Sequence, residues 1–381
     1  MKTPLPRSRR PVLELHACPL TGEAKITNPD RRVQDAVIPQ QAVLPTARAM
    51  SRAARAHKPT GFLLNARVSL KTQRLYQTHA VKFDKWRESE GHTLKGRSLD
   101  SLVVMFLEEL FMKKRPVHTA RCTVFGLIFR SQGSVKDPSV LPLARLSLRG
   151  WGRLRPEVSR DPIPWVIVTL IVSRLLQGND VQKEAGKAAL IQFDSYCRPG
   201  EIVGLRLINV VPPARNAPQQ YRRLALLIAP TELLKTTKTG QRDDSVMMAE
   251  GTPHRAFVVN VLAKQFKQQA AKTDSQMAPL FPLLTLAKYA KAFGEAAKSV
   301  GVGHLRFTPH SLRHGGPSTD VYEGKRGLAE VQKRGRWASP LSVARYEKHA
   351  RLLRVFSKIN KDVLEEARIS SSVVIKAVLN Q

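Results

Sequence analysis

Apolar residues that recur at three- and four-residue steps most restrict what the first ordered part of this chain can fold into. The set is Thr72, Tyr76, Ala80, Phe83 and Trp86. Side chains at these spacings lie on one face of an α-helix, and Gly91 ends the pattern. Two more helices are predicted, in SLDSLVVMFLEELFMKK with Ser98 or Asp100 as its N-cap, and in HTARCTVFGLIFRSQG. We therefore expect a compact helical unit over residues 66–150.

The charge of the chain points to a polyanionic partner. Its 381 residues include 63 Lys and Arg but only 30 Asp and Glu, a formal net charge of +33. Such an excess favours nucleic acid or an anionic membrane surface. No apolar run approaches the roughly 18 residues that span a bilayer, so nucleic acid is the expected partner. In the helical unit, the cations expected to face phosphates are Lys71, Arg74, Lys82 and Lys85.

The ends of the chain and its cysteines suggest an interior compartment. Cys18, Cys122 and Cys197 are widely spaced and odd in number, which argues against a disulfide framework and favours a reducing environment. No secretory or lipidation signal is visible. Residues 1–65 are predicted to be a disordered basic arm, either a plain solvated tail or a DNA-binding segment. The expected location is the nucleus in a eukaryote, and otherwise the cytoplasm or nucleoid.

The second half of the chain is also predicted to be mostly helical. Residues 151–164 are rich in Pro and Arg and are predicted to be a linker. A small antiparallel sheet is expected within 221–249, with a hairpin at residues 238–243. Predicted helices cover 165–176, 181–196, 255–272, 285–300, 310–323, 327–334, 340–354 and 358 to the end. The predicted fold class is mainly α with a small antiparallel β-sheet, in two domains.

Several residues in the second half suit phosphate chemistry. Arg198 precedes Pro199, which is well placed to begin a helix, and a helix N-terminus favours anions. Lys238 is expected at the hairpin tip, with Lys235 as a nearby competitor. His310 and Arg313 are three residues apart after Thr308-Pro309, so both can address one phosphate if a helix begins there.

The remaining candidates follow within forty residues. His314 lies four residues after His310, but the HExxH glutamate is absent and Arg313 would place a cation beside a metal, so no zinc site is expected. Trp337 offers one indole N–H donor, although by itself a tryptophan here is better explained as a core residue. Tyr346 is expected on the 340–354 helix among cationic neighbours, which would favour a phenolate nucleophile.

In this order, the positions resemble those of the tyrosine recombinase (phage integrase) family, whose pattern is Arg…Lys…His-x-x-Arg…His or Trp…Tyr. The resemblance covers roughly residues 66–355. CRPGEI resembles the first arginine box, KTG the hairpin lysine, HSLRH the second box, and GRW the His-or-Trp position, with a tyrosine nine residues later. The residues matched are Arg198 with Glu201 as its acidic partner, Lys238, His310, Arg313 with His314 beside it, Trp337 and Tyr346. The long polar stretch between Arg198 and Lys238, and the glycines after His314, depart from the pattern.

The resemblance implies a fold and a reaction. It implies a SAM-like core DNA-binding domain at 66–150, a catalytic domain at 165–355 and a tail helix at 356–381. Tyr346 would attack a DNA phosphate that Arg198 and Arg313 clamp, with His310 and Trp337 completing the cradle, and Lys238 would protonate the leaving 5′-oxygen. No metal or other cofactor is implied. The implied partners are double-stranded DNA and three further copies of the chain in a synaptic tetramer.

Three other interpretations remain open. The chain can be a catalytically silent DNA-binding relative from a decayed or domesticated mobile element, or a type IB topoisomerase-like enzyme. A basic chromatin-like protein would explain the charge but would leave the ordered set of residues to chance. The apolar residues of the tail can either dock on a neighbouring subunit or pack on their own domain.

Overall fold

The computed structural model describes residues 62–92, 98–134, 137–156, 161–214, 216–233, 242–248, 255–346 and 349–379. The fold is mainly α with a small antiparallel β-sheet, as predicted from the sequence. The chain divides into two compact units, a first unit Met1–Pro156 and a second unit Glu157–Gln381. Their assignment to DNA binding and catalysis stays a prediction.

The described part of the first unit is helical throughout. A short helix α1, Phe62–Asn65, precedes α2 (Leu70–Ser89), α3 (Leu99–Met112), α4 (Val117–Arg130) and α5 (Pro142–Leu154). Residues 62–65 were predicted to end the disordered arm, so that boundary is wrong by one helical turn; the rest of the predicted arm lies outside the described residues. No helix of the described chain is long and apolar enough to cross a membrane.

Capping side chains explain where these helices begin. Ser69 and Ser98 accept hydrogen bonds from backbone N–H groups in the first turns of α2 and α3, at 3.3 and 3.2 Å. Asp100, the alternative cap considered for α3, has another role. Its carboxylate accepts from the N–H groups of Leu143 and Ala144 at 2.8 and 2.9 Å, and so satisfies the start of α5, where a carboxylate is favoured.

The core of the first unit extends further along the chain than predicted. Phe83, Leu102 and Trp151 are among its buried members. Residues 151–154, assigned to the linker, form the last turn of α5, and Trp151 packs edge-on against Phe111 at a ring separation of 5.2 Å. The Gly and Arg residues suggested a linker, but the burial of this indole outweighs their weak local preference. The predicted phosphate-facing cations of α2, Lys71, Arg74, Lys82 and Lys85, are exposed, as that role requires.

The second unit is built around its first two helices, which follow each other in the sequence and pack together. Its helices are α6 (Trp165–Leu176), α7 (Asp180–Ser195), α8 (Pro199–Val203), α9 (Phe257–Ala270), α10 (Leu286–Ser299), α11 (Pro309–Tyr322), α12 (Leu328–Gly335), α13 (Pro340–Val343), α14 (His349–Phe356) and α15 (Lys361–Leu379). Helix α6 is apolar on nearly every face and is buried, as such helices are. A reciprocal pair of hydrogen bonds between Asn179 and Gln182 caps α7.

The sheet has three short strands in the order β1 (Val210–Val211), β2 (Ala225–Ile228) and β3 (Asp244–Met247). Both pairings are antiparallel, with Val210 opposite Leu226 and Ala225 opposite Met247. Strand β1 was not predicted, because two residues are too few for an alternation to be detected. The hairpin expected at 238–243 lies mostly outside the described residues, since 234–241 are not described.

The C-terminal helix α15 packs on α6 of its own unit. Ala367, Val374 and Val378 join the buried core, and the hydroxyls of Ser370 and Thr169 are hydrogen-bonded at 3.0 Å. Packing on its own domain therefore accounts for the buried part of the tail. Ile369 and Val373 remain 55% and 42% exposed, and only these two members of the apolar set remain for the predicted docking on a neighbouring subunit.

Candidate active site

Arg198 is held at the start of α8 by its acidic partner. Proline at the first helical position keeps Arg198 extended, with φ −72° and ψ 151°. Glu201 then turns back, and its carboxylate accepts from the Arg198 backbone N–H at 2.8 Å and from the guanidinium at 2.6 Å. The predicted pairing of these two residues is present. An anion at the N-terminus of α8 was also predicted, but the carboxylate of Glu201 already occupies that end of a five-residue helix.

His310 and Arg313 lie on α11, which contains three residues that disfavour helices. Gly315 and Gly316 are buried against α7, where an added Cβ would meet the carbonyl oxygens of Ile163 and Phe193 at 2.2 Å. The departure from the family pattern at these glycines is therefore a requirement for close packing. Pro317 follows inside the helix, and because proline has no N–H it cannot bond the carbonyl of Arg313. Tertiary packing holds the helix through this segment.

Arg313 is a buried cation with no carboxylate of its own. Only 3% of the residue is exposed. Its guanidinium donates to the carbonyl of Tyr196 and, at 2.8 Å, to the carbonyl of Gly335. Burial and the like charges of Arg198 and Arg336 outweigh the raising effects of Glu201 and Tyr346, and together lower the pKa of Arg313 to about 10. The positive charge is thus positioned but not neutralised.

Trp337 covers Arg313. The Arg313 guanidinium carbon lies 4.8 Å from the centroid of the indole ring, a cation–π distance. Gly335 makes this position possible, because a Cβ there would lie 1.8 Å from an atom of the indole. Helix α12 ends at Gly335. The next residue, Arg336, adopts the left-handed conformation with φ 55°, and the chain turns there towards Trp337.

Tyr346 stacks against the same indole. Its ring centroid is 4.4 Å from that of Trp337 and 5.3 Å from that of His314, whose ring is also 5.3 Å from that of His310. The residue is 6% exposed. The predicted continuous helix over 340–354 is wrong, because Ala344–Tyr346 form a turn of 3₁₀-helix between α13 and α14. The tyrosine thus lies where the α-helix is interrupted.

Arg336 was not among the predicted site residues. Its guanidinium donates to the second oxygen of Glu201 at 2.5 Å, and its side chain is 3% exposed. Burial by itself raises the pKa of Glu201, but Arg336 and both the backbone and side chain of Arg198 reverse the effect and lower it. Arg336 stood within the GRW motif, yet no sequence rule distinguishes a buried arginine from an exposed one.

A buried ionic network supports the site from behind. Asp320 of α11 accepts from Tyr196, Arg255 and Arg326. Asp194 of α7 pairs with Arg334 of α12 at 2.8 Å. Burial and the neighbouring Asp320 raise the pKa of the Tyr196 hydroxyl, so it stays protonated and donates. These pairs fix α11 and α12 to α7, and thereby fix Arg313 and Trp337.

The site therefore gathers most of its predicted members from separate segments of the second unit. Arg198, Glu201, Arg313, Trp337, Tyr346 and the two histidines are brought together. Lys238 and its competitor Lys235 lie outside the described residues. Within the described ranges, no group of three or more His, Cys, Asp or Glu side chains is arranged to hold a metal ion. Three arginines face one carboxylate, so the site can bind an anion and present a phenol to it.

Comparisons with known proteins add little. No family model matches the chain, and no curated protein matches it. Among solved structures, the chain is similar to XerA recombinase, with 16% sequence identity and a TM-score of 0.33 over 76% of this chain and 96% of that one. A similarity of this size supports no conclusion about the fold or the activity of the chain.

Proposed function

We propose that the protein is a site-specific DNA recombinase that cleaves and rejoins DNA strands through a 3′-phosphotyrosyl intermediate. The single observation that carries the proposal is that Arg198, Arg313, Trp337 and Tyr346, which come from separate elements of the second unit, meet in one site. A basic chromatin-like protein has no need of this arrangement. The excess of cations over carboxylates there suits a phosphodiester, whose negative charge grows as a nucleophile adds.

Each residue has a step in the proposed reaction. Arg198 and Arg313 bind the non-bridging oxygens of the phosphate, and the Trp337 indole N–H completes the cradle. The Tyr346 oxygen attacks phosphorus in line, its proton passes to an imidazole of α11, and the P–O5′ bond breaks. Lys238 donates a proton to the departing 5′-oxygen. The 5′-hydroxyl of another strand then displaces the tyrosine, so the number of phosphodiester bonds is conserved and no energy source is needed.

The residues of the site differ in their exposure to solvent, and Arg198 is on the open side. The side chain of Arg198 is 22% exposed, whereas Arg313 and Tyr346 are nearly covered. A DNA phosphate would therefore meet Arg198 first. The indole of Trp337 contacts both Arg313 and Tyr346, and in this proposal it aligns the phenol with the phosphate that Arg313 binds.

The other parts of the chain have proposed roles too. The exposed cations of α2, which are Lys71, Arg74, Lys82 and Lys85, would contact DNA phosphates. Ile369 and Val373, the exposed apolar residues of α15, would contribute to a homotetramer on DNA. We place the protein in the nucleus of a eukaryote, or otherwise in the cytoplasm or nucleoid.

Covalent capture tests the reaction without knowledge of the target site. The full chain is incubated with nicked duplexes whose central sequence is randomised, and DNA that stays attached to protein after denaturation is sequenced. We expect an adduct from the wild type, none from Tyr346→Phe, and an adduct from Tyr322→Phe, since Tyr322 is an exposed tyrosine on α11. A wild type that binds the pool without an adduct fits the silent DNA-binding relative, and an adduct from Tyr346→Phe removes the assigned nucleophile.

A second assay separates the recombinase from a type IB topoisomerase-like enzyme. The duplexes recovered from the pool are rebuilt as paired sites on one plasmid. A recombinase exchanges strands between the two sites, whereas a topoisomerase relaxes the supercoiled plasmid without exchange. Relaxation alone would contradict the proposed strand exchange while leaving the tyrosine chemistry in place.

A further inference from the structure

We propose that Arg336 is a positioning residue that holds the Glu201 carboxylate away from Arg313, so that the guanidinium groups of Arg313 and Arg198 stay available to an anion. This inference rests on the proposed function, because it assigns how the anion site of that reaction is kept open. Arg336 is separate from the residues proposed to touch the phosphate.

Both carboxylate oxygens of Glu201 accept hydrogen bonds from arginines. Oε1 accepts from the guanidinium of Arg198 at 2.6 Å. Oε2 accepts from the backbone N–H of Arg198 at 2.8 Å and from the guanidinium of Arg336 at 2.5 Å. The carboxylate is therefore held between two arginines on two different segments of the chain.

Arg313 lies close to this carboxylate but donates its hydrogen bonds to backbone carbonyls. The positive charge of Arg313 lowers the pKa of Glu201, and the negative charge of Glu201 raises the pKa of Arg313. Arg313 nevertheless donates to the carbonyls of Tyr196 and Gly335, which carry no net charge. A carboxylate released from Arg336 would find an uncompensated buried cation nearby, and pairing with it is strongly favoured there.

Arg336 is too deeply buried to bind a large anion itself. Its side chain is 3% exposed. Nη2, which bonds Glu201, also lies 3.7 Å from the sulfur of Cys197, Nη1 lies 3.4 Å from the carbonyl oxygen of Arg334, and Nε has no hydrogen-bond partner among the described residues. Asp244 also adds negative charge near it. Among the described residues, Glu201 is the only charged group to which Arg336 donates a hydrogen bond. The charge of Arg336 also lowers the pKa of Arg313 from a distance, but the effect of the hydrogen bond on a bound phosphate passes through the carboxylate.

Sulfate binding to the full chain tests the inference, because sulfate is a tetrahedral dianion like the phosphate it replaces. Affinity is measured by titration calorimetry, and binding elsewhere on the chain is defined with the Arg198→Met/Arg313→Met variant. We expect Arg336→Met to weaken specific sulfate binding roughly tenfold, because a charge-assisted hydrogen bond then forms between Glu201 and Arg313. Arg336→Lys keeps a cation opposite Glu201 and is expected to restore most of the affinity.

The decisive variant is Arg336→Met combined with Glu201→Gln. A neutral amide has no charge with which to neutralise Arg313, so we expect the double variant to return to within about threefold of the wild type. An unfolded chain would not be rescued by a second substitution. The matched control is Arg206→Met, which removes another partly buried arginine of the second unit, one that donates to the carbonyl of Met277 at 3.0 Å, and is expected to lower the melting temperature without changing sulfate affinity.

Two failures are distinguishable. If sulfate binds through Arg198 and Arg313 but the double variant stays as weak as Arg336→Met, Arg336 does not act through Glu201 and the inference is overturned, while the proposed function stands. If the wild type binds no sulfate beyond the background variant, the anion site itself is absent, and both the inference and the proposed function are contradicted.

Discussion

Gly335 determines where the indole of Trp337 lies. The indole occupies the space that a side chain at residue 335 would need, with ring atoms 1.8 and 2.2 Å from an added Cβ. The same indole contacts Arg313 and Tyr346. One missing side chain therefore lets a single tryptophan touch both the anion-binding arginine and the proposed nucleophile.

Gly335→Ala is expected to reduce covalent adduct formation at least about tenfold. The new methyl group must displace the indole, since an overpacked contact costs roughly 1–3 kcal/mol, and the displaced ring no longer aligns Tyr346. The rate of adduct formation on the recovered duplex measures this loss. Gly327→Ala is the control, because its Cβ would have its nearest contact at 3.9 Å; an equal loss in both variants would mean that helix α12, not the indole, is responsible.

At the residue scale, the sequence was sufficient to predict the main residues of the site, but not the residues that hold them in position. Arg198, Arg313, Trp337 and Tyr346 could be selected because their order and spacing resemble a known pattern. Gly335 and Arg336 could not, because their roles depend on contacts with residues distant in sequence. The pairing of Arg198 with Glu201 was accessible, since residues three apart at a helix start are neighbours whatever the rest of the chain does.

Helix α11 depends on its close approach to α7. An added Cβ at Gly316 would meet the carbonyl oxygen of Phe193 at 2.2 Å and ring atoms of Tyr196 at 2.8 and 2.9 Å. Neither a backbone carbonyl nor a fully buried tyrosine moves easily. The separation of the two helices, and with it the reach of Arg313 to the Tyr196 carbonyl, is set at this contact.

A matched pair of glycine substitutions tests this contact. Gly316→Ala is expected to destabilise the second unit by about 2 kcal/mol through overpacking. Gly294→Ala, in α10, meets nothing within 4 Å and should stabilise by roughly 0.5–1 kcal/mol, because alanine is the better helix former. Urea unfolding measures both free energies. If Gly316→Ala were as stable as the wild type, the close approach of the two helices would not be needed.

At the scale of elements, periodicity was sufficient where one face of a helix is buried. Helices α2, α6 and α7 begin and end within about two residues of their predicted bounds. The prediction was wrong at the end of α5 and at the interruption before Tyr346, where long-range packing decides the structure. It also missed β1, whose two residues pair with a strand more than ten residues away.

The charge of the molecule is a property of the whole chain, but its use in binding is local. A formal charge of +33 makes any DNA complex sensitive to salt, because bound phosphates release counterions. The exposed cations of α2 present one row of that charge in the first unit. Exposed lysines of α10 present another in the second unit, without a proposed role in binding.

Salt titration of DNA affinity tests which cations count. Replacing Lys71, Arg74, Lys82 and Lys85 by glutamine should reduce the slope of log affinity against log salt by up to about 4, close to one for each lost phosphate contact. Replacing Lys288 and Lys298 of α10 should leave the slope unchanged. Equal reductions per charge in the two variants would show that total charge, and not the face of α2, determines binding.

Helix α11 also affects the order in which the molecule folds. Its Gly315-Gly316-Pro317 segment costs roughly 5 kcal/mol in intrinsic helix propensity, so the isolated segment has no tendency to form before the core closes on it. His310 and Arg313 consequently acquire their places only when α11 packs against α7 and the core around it. In the proposed enzyme, a nascent or partly denatured chain would be incapable of breaking DNA. If the proposed function holds, the low helix propensity of three residues would keep DNA breakage confined to the folded protein.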